Sequence, residues 1–409
     1  MGAASSIPAE MAKLSHLRAN LLYLDGMRRG TTVKITEIRT VISWAGLRNW
    51  VLVKVMTDVG IHGWGEATLE GFEPTVAACI QRFGEALIGE DPLRREHHWQ
   101  RLYRHHFWRG GPVGNSAIAA LDHALWDIAG KAYGVPVYQM LGGAARDSLR
   151  LYTHVGIYQP ERMIEDAQRD IADGFTAMKT GAWTGSAGVP EAERIAAFAE
   201  RIGSLRQAVG PDIGIMVDDH GRGQPSNAVR LMHALEPFGL LFFEEPTQPD
   251  DVEGLQRLRM ADPQMDLATG ERLYSKWDYR RLLEGRYVDV IQPDLCHAGG
   301  ISEVKKIAAI AETYYVKIAP HNPQGPVSTA AAAHLCLAIP NFLILEYVRQ
   351  EPYRDAAMQE AWTVREGYLQ VPDRPGLGVD LNEDVLLANP PRLDATPAAF
   401  AADGSVFDI

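Results

Sequence analysis

The runs LLFFEEP (residues 240–246), DVIQPD (289–294) and VKIAPH (316–321) share one pattern, since each is a short apolar segment that ends in a polar residue. Three more runs end the same way, namely VDDH (217–220), LATGE (267–271) and FLILE (342–346). The polar residues are 26, 27, 23, 27 and 25 positions apart, and they are Asp218, Glu244, Glu271, Asp294, His321 and Glu346. An interval of about 25 residues accommodates one strand, one helix and two connections, so the pattern predicts a (β/α) barrel with its chemistry on one rim.

Two further runs, LRLYTHV from Leu149 and TAMKTG from Thr176, raise the number of predicted barrel strands to eight. The segments between the strands, such as 227–238 and 301–315, repeat apolar residues at helical spacing. Earlier in the chain, residues 33–68 have the pattern of three adjacent strands, and amphipathic helices follow at 73–88 and 116–133. We therefore expect an N-terminal extension (1–32), an α+β domain (33–150), the barrel (151–366) and a C-terminal segment that packs back on the first domain (367–409).

The composition limits the possible functions. The chain has 409 residues, 46% of them hydrophobic, and a formal net charge of −12, which disfavours binding to nucleic acid or to an anionic membrane. No apolar run approaches the roughly 20 residues that span a bilayer, and residues 1–32 lack the pattern of a secretory signal. Cys79, Cys296 and Cys336 are too far apart to form a CxxC metal site, and they indicate a reducing compartment such as the cytoplasm.

Carboxylates end three consecutive predicted strands. Asp218, Glu271 and one of Glu244 and Glu245 would meet at one point of the rim, and strand alternation leaves open which of the two glutamates is involved. Like charges this close repel one another, and a divalent cation that prefers oxygen ligands removes the repulsion. An all-carboxylate ligand set suits Mg²⁺ better than Zn²⁺.

Two histidines are expected on the same rim. His220 shares a strand face with Asp218, and His321 lies one strand beyond Asp294, whose carboxylate would fix the imidazole tautomer and raise its basicity. Lys179 adds a cation at the end of another strand. Any one of these residues could be a helix cap or a salt-bridge partner, but six consecutive units with a polar group at the same level favour a functional role. The structural explanation is retained for Asp122, Asp127, Asp219, Glu245 and His297.

Several longer segments carry a family resemblance. They are FWRGGPVGNSAIAALDHALWDIAGKAYGVPVYQMLGG (107–143), VDDHGR (217–222), EEPTQPDD (244–251), GERL (270–273), IQPDLCHAGGISEVKKIA (291–308) and APHNPQGP (319–326). In these segments the chain resembles the enolase superfamily, within its mandelate racemase-like group, and most of all the D-galactonate dehydratase branch and related sugar-acid dehydratases. The resemblance covers residues 33–409. It implies a modified TIM (β/α) barrel with an N-terminal α+β capping domain.

The resemblance also implies roles for individual residues. Asp218, Glu244 and Glu271 would bind Mg²⁺, which selects Glu244 over Glu245. Asp294 and His321 would form the catalytic dyad, His220 would be the second acid–base group, and Glu346 would border the carboxylate of the substrate. Members of this family tend to form symmetric homo-oligomers, so a homo-oligomer is expected here as well.

One departure from the family pattern reduces the number of reactions that the chain could catalyse. Racemases of this group carry a Lys-x-Lys pair whose second lysine is catalytic, whereas this chain has Lys179, Thr180 and Gly181. We therefore expect a Mg²⁺-dependent dehydratase of a small sugar acid, an aldonate, that removes the C2 proton and eliminates the 3-hydroxyl. The alternatives are an epimerase or cycloisomerase that uses the same enediolate, and a metal-binding barrel with a sensing role. The loops Ser43–Trp50, Glu66–Glu73 and Trp183–Pro190 are expected to border the substrate.

Overall fold

The computed structural model describes residues 33–157, 159–181, 189–350, 352–393, 399–400 and 403–407. The extension predicted at 1–32 and residues 183–188 of the Trp183–Pro190 loop lie outside the described residues. Among the helices that the structure describes, none has the length and apolar character needed to cross a membrane.

The first described elements form an antiparallel sheet with helices packed on it. β1 (Ile35–Trp44), β2 (Asn49–Thr57) and β3 (His62–Glu66) pair in the order β1-β2-β3, and four helices follow, α1 (Glu73–Gly84), α2 (Arg95–Arg104), α3 (Pro112–Tyr133) and α4 (Val137–Leu141). α3 lies so close to β3 that a Cβ on Gly65 would overlap with the Ala120 carbonyl oxygen. We call this α+β unit, β1–β3 with α1–α4, the capping domain.

The rest of the chain alternates strand and helix. The strands are β4 (Leu149–His154), β5 (Ala177–Gly181), β6 (Gly214–Asp218), β7 (Phe242–Glu244), β8 (Asp266–Thr269), β9 (Val290–Ile291), β10 (Lys317–Ile318) and β11 (Leu345–Glu346). The helices between them are α5 (Met163–Ala172), α6 (Glu191–Val209), α7 (Pro225–Leu235), α8 (Val252–Met260), α9 (Lys276–Gly285), α10 (Gly300–Thr313) and α11 (Pro326–Ala338). Short 3₁₀ turns occupy Pro160–Arg162 and Glu236–Phe238.

These eight strands close into a barrel. β4 to β10 pair in parallel in chain order, and β11 pairs in parallel with β4 through Leu345 and Leu151. The other edge of the last strand meets β10, because Ile318 pairs in parallel with Phe342 and its carbonyl oxygen accepts a hydrogen bond from the Leu343 amide. The predicted (β/α) barrel is thereby confirmed, and a helix follows each of the first seven strands before the next strand begins.

One layer of side chains fills the barrel. Each of the eight strands, or the residue next to it, contributes one fully buried residue, and these are Tyr152, Ala177, Met216, Phe242, Ala268, Val290, Ala319 and Ile344. Side chains alternate between the two faces of a strand, so the residue two positions further along each strand also faces the axis, nearer the carboxyl end. This layer is therefore the floor of whatever site occupies the carboxyl rim.

The chain after β11 contacts both the barrel and the capping domain, since Tyr368 and Leu369 pair antiparallel with Arg150 and Leu149 of β4. Its elements are α12 (Tyr353–Ala357), β12 (Thr363–Arg365), β13 (Tyr368–Gln370), α13 (Glu383–Ala388), β14 (Ala399–Phe400) and β15 (Val406–Phe407). The Asp380 carboxylate accepts a hydrogen bond of 2.7 Å from the Trp64 indole, and Glu383 forms an ion pair of 2.6 Å with Lys54. These contacts join the end of the chain to β2 and β3.

Candidate active site

Polar residues stand directly above the buried layer of the barrel. Two positions beyond a member of that layer come His154, Lys179, Asp218, Glu244, Gln292, His321 and Glu346. Strand alternation thus directs all of them to the barrel axis at its carboxyl rim. Only β8 departs from this rule, since Gly270 takes the corresponding position there and Glu271 follows it.

Asp218, Glu244 and Glu271 come together at this rim. Each offers one carboxylate oxygen, and these three atoms lie within 4.8 Å of one another. Burial, followed by the charge of Asp218, raises the pKa of Glu244 well above its usual value. Such a cluster is unfavourable without a cation.

Glu245 points away from this cluster. Its carboxylate is fully buried and binds the Arg272 guanidinium through two hydrogen bonds of 3.1 and 2.6 Å. The same guanidinium donates a hydrogen bond of 2.9 Å to the carbonyl oxygen of His220. The geometry therefore separates the two glutamates that strand alternation left open, with Glu244 at the axis and Glu245 in a structural ion pair.

Lys179 is enclosed by carboxylates. Its ammonium group is 3.0 Å from both Glu244 and Glu346 and 3.2 Å from Asp218, and the side chain is only 2% exposed. Burial lowers the pKa of Lys179, but Glu244 and Glu346 outweigh this and raise it well above its usual value. Lys179 is therefore a fixed positive charge and is unsuited to accept a proton.

His321 and Asp294 form the predicted pair. The Asp294 carboxylate lies 2.7 Å from Nδ1 of His321, so Nε2 is left to face the rim, 3.4 Å from Glu271. Burial lowers the pKa of His321, but Glu271, Glu346 and Asp294 outweigh it and raise the pKa to about 10. Burial raises the pKa of Asp294, whereas the neighbouring His297 and His321 lower it further than burial raises it.

His220 lies on the opposite side of the carboxylates. Its Nε2 is 2.9 Å from Asp218, and the charge of Asp218 is the main reason that the pKa of His220 is raised. Its side chain is 40% exposed, more than that of any other member of the site described so far. His220 is therefore the group with the best access to a molecule that enters the rim.

Both carboxylate oxygens of Glu346 have hydrogen-bond partners. One accepts from Lys179 and lies 2.5 Å from Nε2 of His154, and the other accepts from the Asn322 amide at 2.7 Å. Burial raises the pKa of Glu346, but Lys179 and His321 outweigh it and lower the pKa well below its usual value. Glu346 thus holds Lys179 and the segment after His321 in position.

Three residues of the site were not predicted from the sequence. His154 lies 25 positions before Lys179 and fits the interval of the other strands, but the longer gap of 39 positions from Lys179 to Asp218 interrupts the pattern. Gln292 is fully buried, and neither amide atom has a hydrogen-bond partner among the described residues. Arg272 is the third, and no spacing rule selects it.

The capping domain reaches the same rim. The Arg48 guanidinium forms an ion pair with Glu70, which connects the two loops predicted to border the substrate. His297, three positions after Asp294, is held by Ser116 of α3 at 2.9 Å and by Gln324 at 3.3 Å. Burial lowers the pKa of His297, in agreement with a structural role for this residue.

The three clustered carboxylates have the properties of a divalent metal site. Asp218 Oδ2, Glu244 Oε2 and Glu271 Oε2 are buried, and they lack a hydrogen-bond partner of good geometry among the described residues. Asp218 Oδ2 has cationic neighbours in His220 and Lys179, at 2.9 and 3.2 Å. Oxygen-only donors of this kind match the preference of Mg²⁺.

Comparison with known proteins agrees with this geometry. A family model described as "Enolase C-terminal domain-like" matches residues 162–385, and one described as "Mandelate racemase / muconate lactonizing enzyme, N-terminal domain" matches residues 30–142. D-galactonate dehydratase of Variovorax paradoxus (strain S110) is 39% identical over 384 residues, which are 91% of this chain and 99% of the relative. A D-galactonate dehydratase family member of Streptomyces bingchenggensis (strain BCW-1) is 37% identical over 88% of this chain and 94% of the relative.

Solved structures are similar over the same range. An enolase from Pantoea ananatis with bound D-gluconate and Mg has a TM-score of 0.85 and 30% identity, and the match covers 92% of this chain and 100% of that chain. An enolase from Agrobacterium radiobacter with bound Na and L-malate has the same TM-score and coverage at 34% identity.

Proposed function

The chain belongs to the mandelate racemase/muconate lactonizing enzyme group of the enolase superfamily, and we propose that it is a Mg²⁺-dependent sugar-acid dehydratase. Its substrate is a small aldonate of the D-galactonate type, and its product is the corresponding 2-keto-3-deoxy acid. The activity named for the relatives supports the reaction class, and the D-gluconate in the Pantoea ananatis structure supports the substrate class.

One arrangement carries this proposal. Two imidazoles flank the carboxylate cluster within a single barrel mouth, His321 at 3.4 Å from Glu271 and His220 at 2.9 Å from Asp218. A dehydration of this kind needs a base to remove a proton next to a carboxylate and an acid to help a hydroxyl leave. A protein that only binds metal has no use for two such groups.

The residues of the chain divide the reaction between them. His321, oriented by Asp294, takes the C2 proton of the bound acid, and the substrate becomes an enediolate. His220 gives a proton to the 3-hydroxyl, which leaves as water. The electron pair of the enediolate then forms the C2–C3 double bond of an enol. The enol then takes a proton at C3 and tautomerises to the 2-keto acid. For a substrate of the opposite C2 configuration, the two histidines exchange roles.

The remaining polar groups supply charge. Asp218, Glu244 and Glu271 would hold Mg²⁺, and Lys179 adds a permanent positive charge within 3.2 Å of Asp218. When bound, the cation would stabilise the second negative charge on the substrate carboxylate, and it would offset the charge of Glu271, which is one of the groups that raise the pKa of His321.

The first test is product analysis. The purified protein with Mg²⁺ is incubated with a panel of aldonic and aldaric acids, and the 2-keto product is detected with semicarbazide. Turnover of at least one aldonate is expected. An epimer without any 2-keto product would contradict the proposal, and it would point to the second reaction class that this rim could serve.

The second test assigns the two histidines. His321→Asn and His220→Asn are incubated with the substrate in D₂O, and exchange at C2 is followed by NMR. His321→Asn is expected to lose C2 exchange, and His220→Asn to retain it while dehydration slows on the order of 10²-fold or more. Exchange at the wild-type rate in His321→Asn would show that His321 is not the base.

We also propose that the chain forms a homo-oligomer. Phe107 and Trp108, in the connection between α2 and α3, are each 88% exposed and lie with ring centroids 5.1 Å apart. Aromatic residues are enriched at protein–protein interfaces relative to the rest of the surface. Light scattering after size exclusion is expected to give a mass of two or more chains, and a monomer at all concentrations would contradict this.

A further inference from the structure

We propose that two buried carboxylates of the capping domain, Asp122 and Glu66, are positioning residues that set the geometry of the Asp294–His321 pair. The inference rests on the proposed function, in which this pair removes the C2 proton. It assigns a role in catalysis to a domain that contributes neither Asp294 nor His321.

Asp122 holds the segment that follows Asp294. Its two carboxylate oxygens accept hydrogen bonds from the amide and the hydroxyl of Ser302, at 2.9 and 2.5 Å. Ser302 lies in the first turn of α10, and every residue between Asp294 and Ser302 is buried. Asp122 therefore satisfies one amide group, that of Ser302, at the start of a barrel helix that has no side-chain cap of its own.

Two tryptophans of the capping domain donate hydrogen bonds to the same segment. The Trp99 indole of α2 donates to the Gly299 carbonyl oxygen at 2.8 Å, and the Trp126 indole of α3 donates to the Ser302 hydroxyl at 2.9 Å. The approach is close enough to need glycine, since a Cβ on Gly300, whose φ is +79°, would lie 2.6 Å from the Asp122 carboxylate. The C-terminal part of the segment, Gly299 to Ser302, is thus fixed against the capping domain.

Glu66 repeats this arrangement on the other member of the pair. Its carboxylate accepts hydrogen bonds from the amides of Gly325 and Ser328, at 2.6 and 2.9 Å. These amides are at the start of α11, the helix that follows His321, and this helix also lacks a side-chain cap of its own. Each member of the pair is therefore followed by a helix whose first turn is closed by a carboxylate from the capping domain.

Burial of a carboxylate destabilises the folded state, so the burial of both Asp122 and Glu66 argues for a specific role. Asp122 and Glu66 are 3% and 0% exposed, and burial raises the pKa of both, that of Asp122 to about 7. A small displacement of either segment would change the 2.7 Å contact between Asp294 and His321, and small errors in the position of a base are costly for catalysis.

The test compares Asp122→Asn and Glu66→Gln with a matched control. In each variant an amide NH₂ group takes the place of one carboxylate oxygen. This NH₂ group then faces an N–H or O–H group that is itself a donor. We expect kcat to fall about 10-fold in each variant, KM to stay within about twofold, and C2 exchange in D₂O to slow in parallel with kcat.

Asp127→Asn is the control. Asp127 is equally buried on α3 and accepts from the amides of Trp64 and Leu377 and from Lys131. These partners, within the part of the chain that the structure describes, belong to neither segment. This variant is expected to lose stability and to keep kcat while it is folded. Rates in Asp122→Asn and Glu66→Gln that fall no more than in Asp127→Asn would overturn the proposal.

A milder variant guards against a failure to fold. Trp126→Phe removes the hydrogen bond to Ser302 and keeps an aromatic ring, although a smaller one, beside the Arg95 guanidinium. In this variant kcat is expected to fall about threefold at unchanged KM. Wild-type kcat in folded Trp126→Phe, with Asp122→Asn unable to fold, would also count against the inference. Absence of any dehydration by the wild-type protein would instead refute the proposed function, so the two failures are distinguishable.

Discussion

At the scale of single residues, the site contains strained backbone. His220 and Glu245 have φ angles of +51° and +39°, a region that residues with a side chain rarely occupy. Arg272 spans both, because its guanidinium binds the Glu245 carboxylate and the His220 carbonyl oxygen at the same time. Strain of this kind persists only where surrounding contacts impose it, so Arg272 is the residue that fixes the backbone of the proposed acid.

Replacement of Arg272 by lysine is expected to lower kcat by about 10-fold or more, with a smaller change in KM. A lysine keeps the charge but cannot bind a carboxylate with two hydrogen bonds and reach a carbonyl oxygen as well. Arg259→Lys is the matched control, since Arg259 forms an ion pair of 2.5 Å with Asp289 before β9, at the opposite end of the barrel. Equal losses of kcat in the two variants, measured by steady-state kinetics, would contradict the role of Arg272.

Strand geometry determines which residues of the site could be predicted from the sequence. Spacing predicted Asp218, Glu271, Asp294 and His321, because a residue at or just after the end of a barrel strand has a position that the strand largely determines. Arg272 could not be predicted, since its role depends on where a long side chain goes after the strand has ended. The choice between Glu244 and Glu245 depended on which residues of β7 face the axis, which the family resemblance supplied and the buried Phe242 explains.

At the scale of elements, α11 shows how a polar side chain in a buried helix finds hydrogen-bond partners. Its residues from Pro326 to Leu337 are all buried, including His334. Nδ1 of His334 accepts from the Tyr138 amide at 3.2 Å, and Nε2 donates to the Leu377 carbonyl oxygen at 3.0 Å. Both nitrogens are used only when the ring is neutral, and a second proton would have to displace the Tyr138 amide.

This arrangement predicts a dependence of stability on pH. Burial lowers the pKa of His334 to about 4, below the value of about 6.5 in an unfolded chain. The unfolded state therefore binds the proton first, so the contribution of His334 to stability is complete above pH 6.5 and is lost as pH falls towards 4. Between pH 7.5 and 5.5 this loss is about 1 kcal/mol.

His334→Gln is expected to remove that part of the pH dependence, because an amide can accept from Tyr138 and donate to Leu377 at either pH. The free energy of unfolding in urea is measured at both pH values for the wild type and the variant. His233→Gln, which changes a half-exposed histidine of α7, should keep the wild-type slope. An unchanged slope in His334→Gln would show that its ring is not neutral in the folded state.

Elements could be predicted from the sequence to the extent that one face is apolar. The helix predicted at 116–133 begins at Pro112, because proline is favourable in a first turn and Gly114 and Asn115 hide the helical pattern. The helix Arg95–Arg104 was missed, since only His98, Trp99, Leu102 and Tyr103 are buried and the rest is charged or polar. The barrel strands were found in spite of their short length, because their apolar runs recur at one interval.

At the scale of the whole molecule, charge is distributed unevenly. The chain has a formal net charge of −12, and Asp218, Glu244, Glu271 and Glu346 are concentrated at the centre, with Lys179 and two histidines as partners. Burial of several carboxylates in one place opposes folding. A bound cation would therefore stabilise the whole fold in addition to serving the reaction.

Addition of Mg²⁺ is thus expected to raise the unfolding temperature, and EDTA to reverse the rise. A ligand at 100 times its dissociation constant stabilises the folded state by about 2.7 kcal/mol. Glu244→Gln and Glu245→Gln form a matched pair of adjacent buried acids, and only the first removes one of the clustered oxygens. Glu244→Gln should lose the Mg²⁺-dependent rise in calorimetry, whereas Glu245→Gln should keep it at a lower starting stability. The reverse result would place the metal on Glu245 and would exclude the ligand set proposed here.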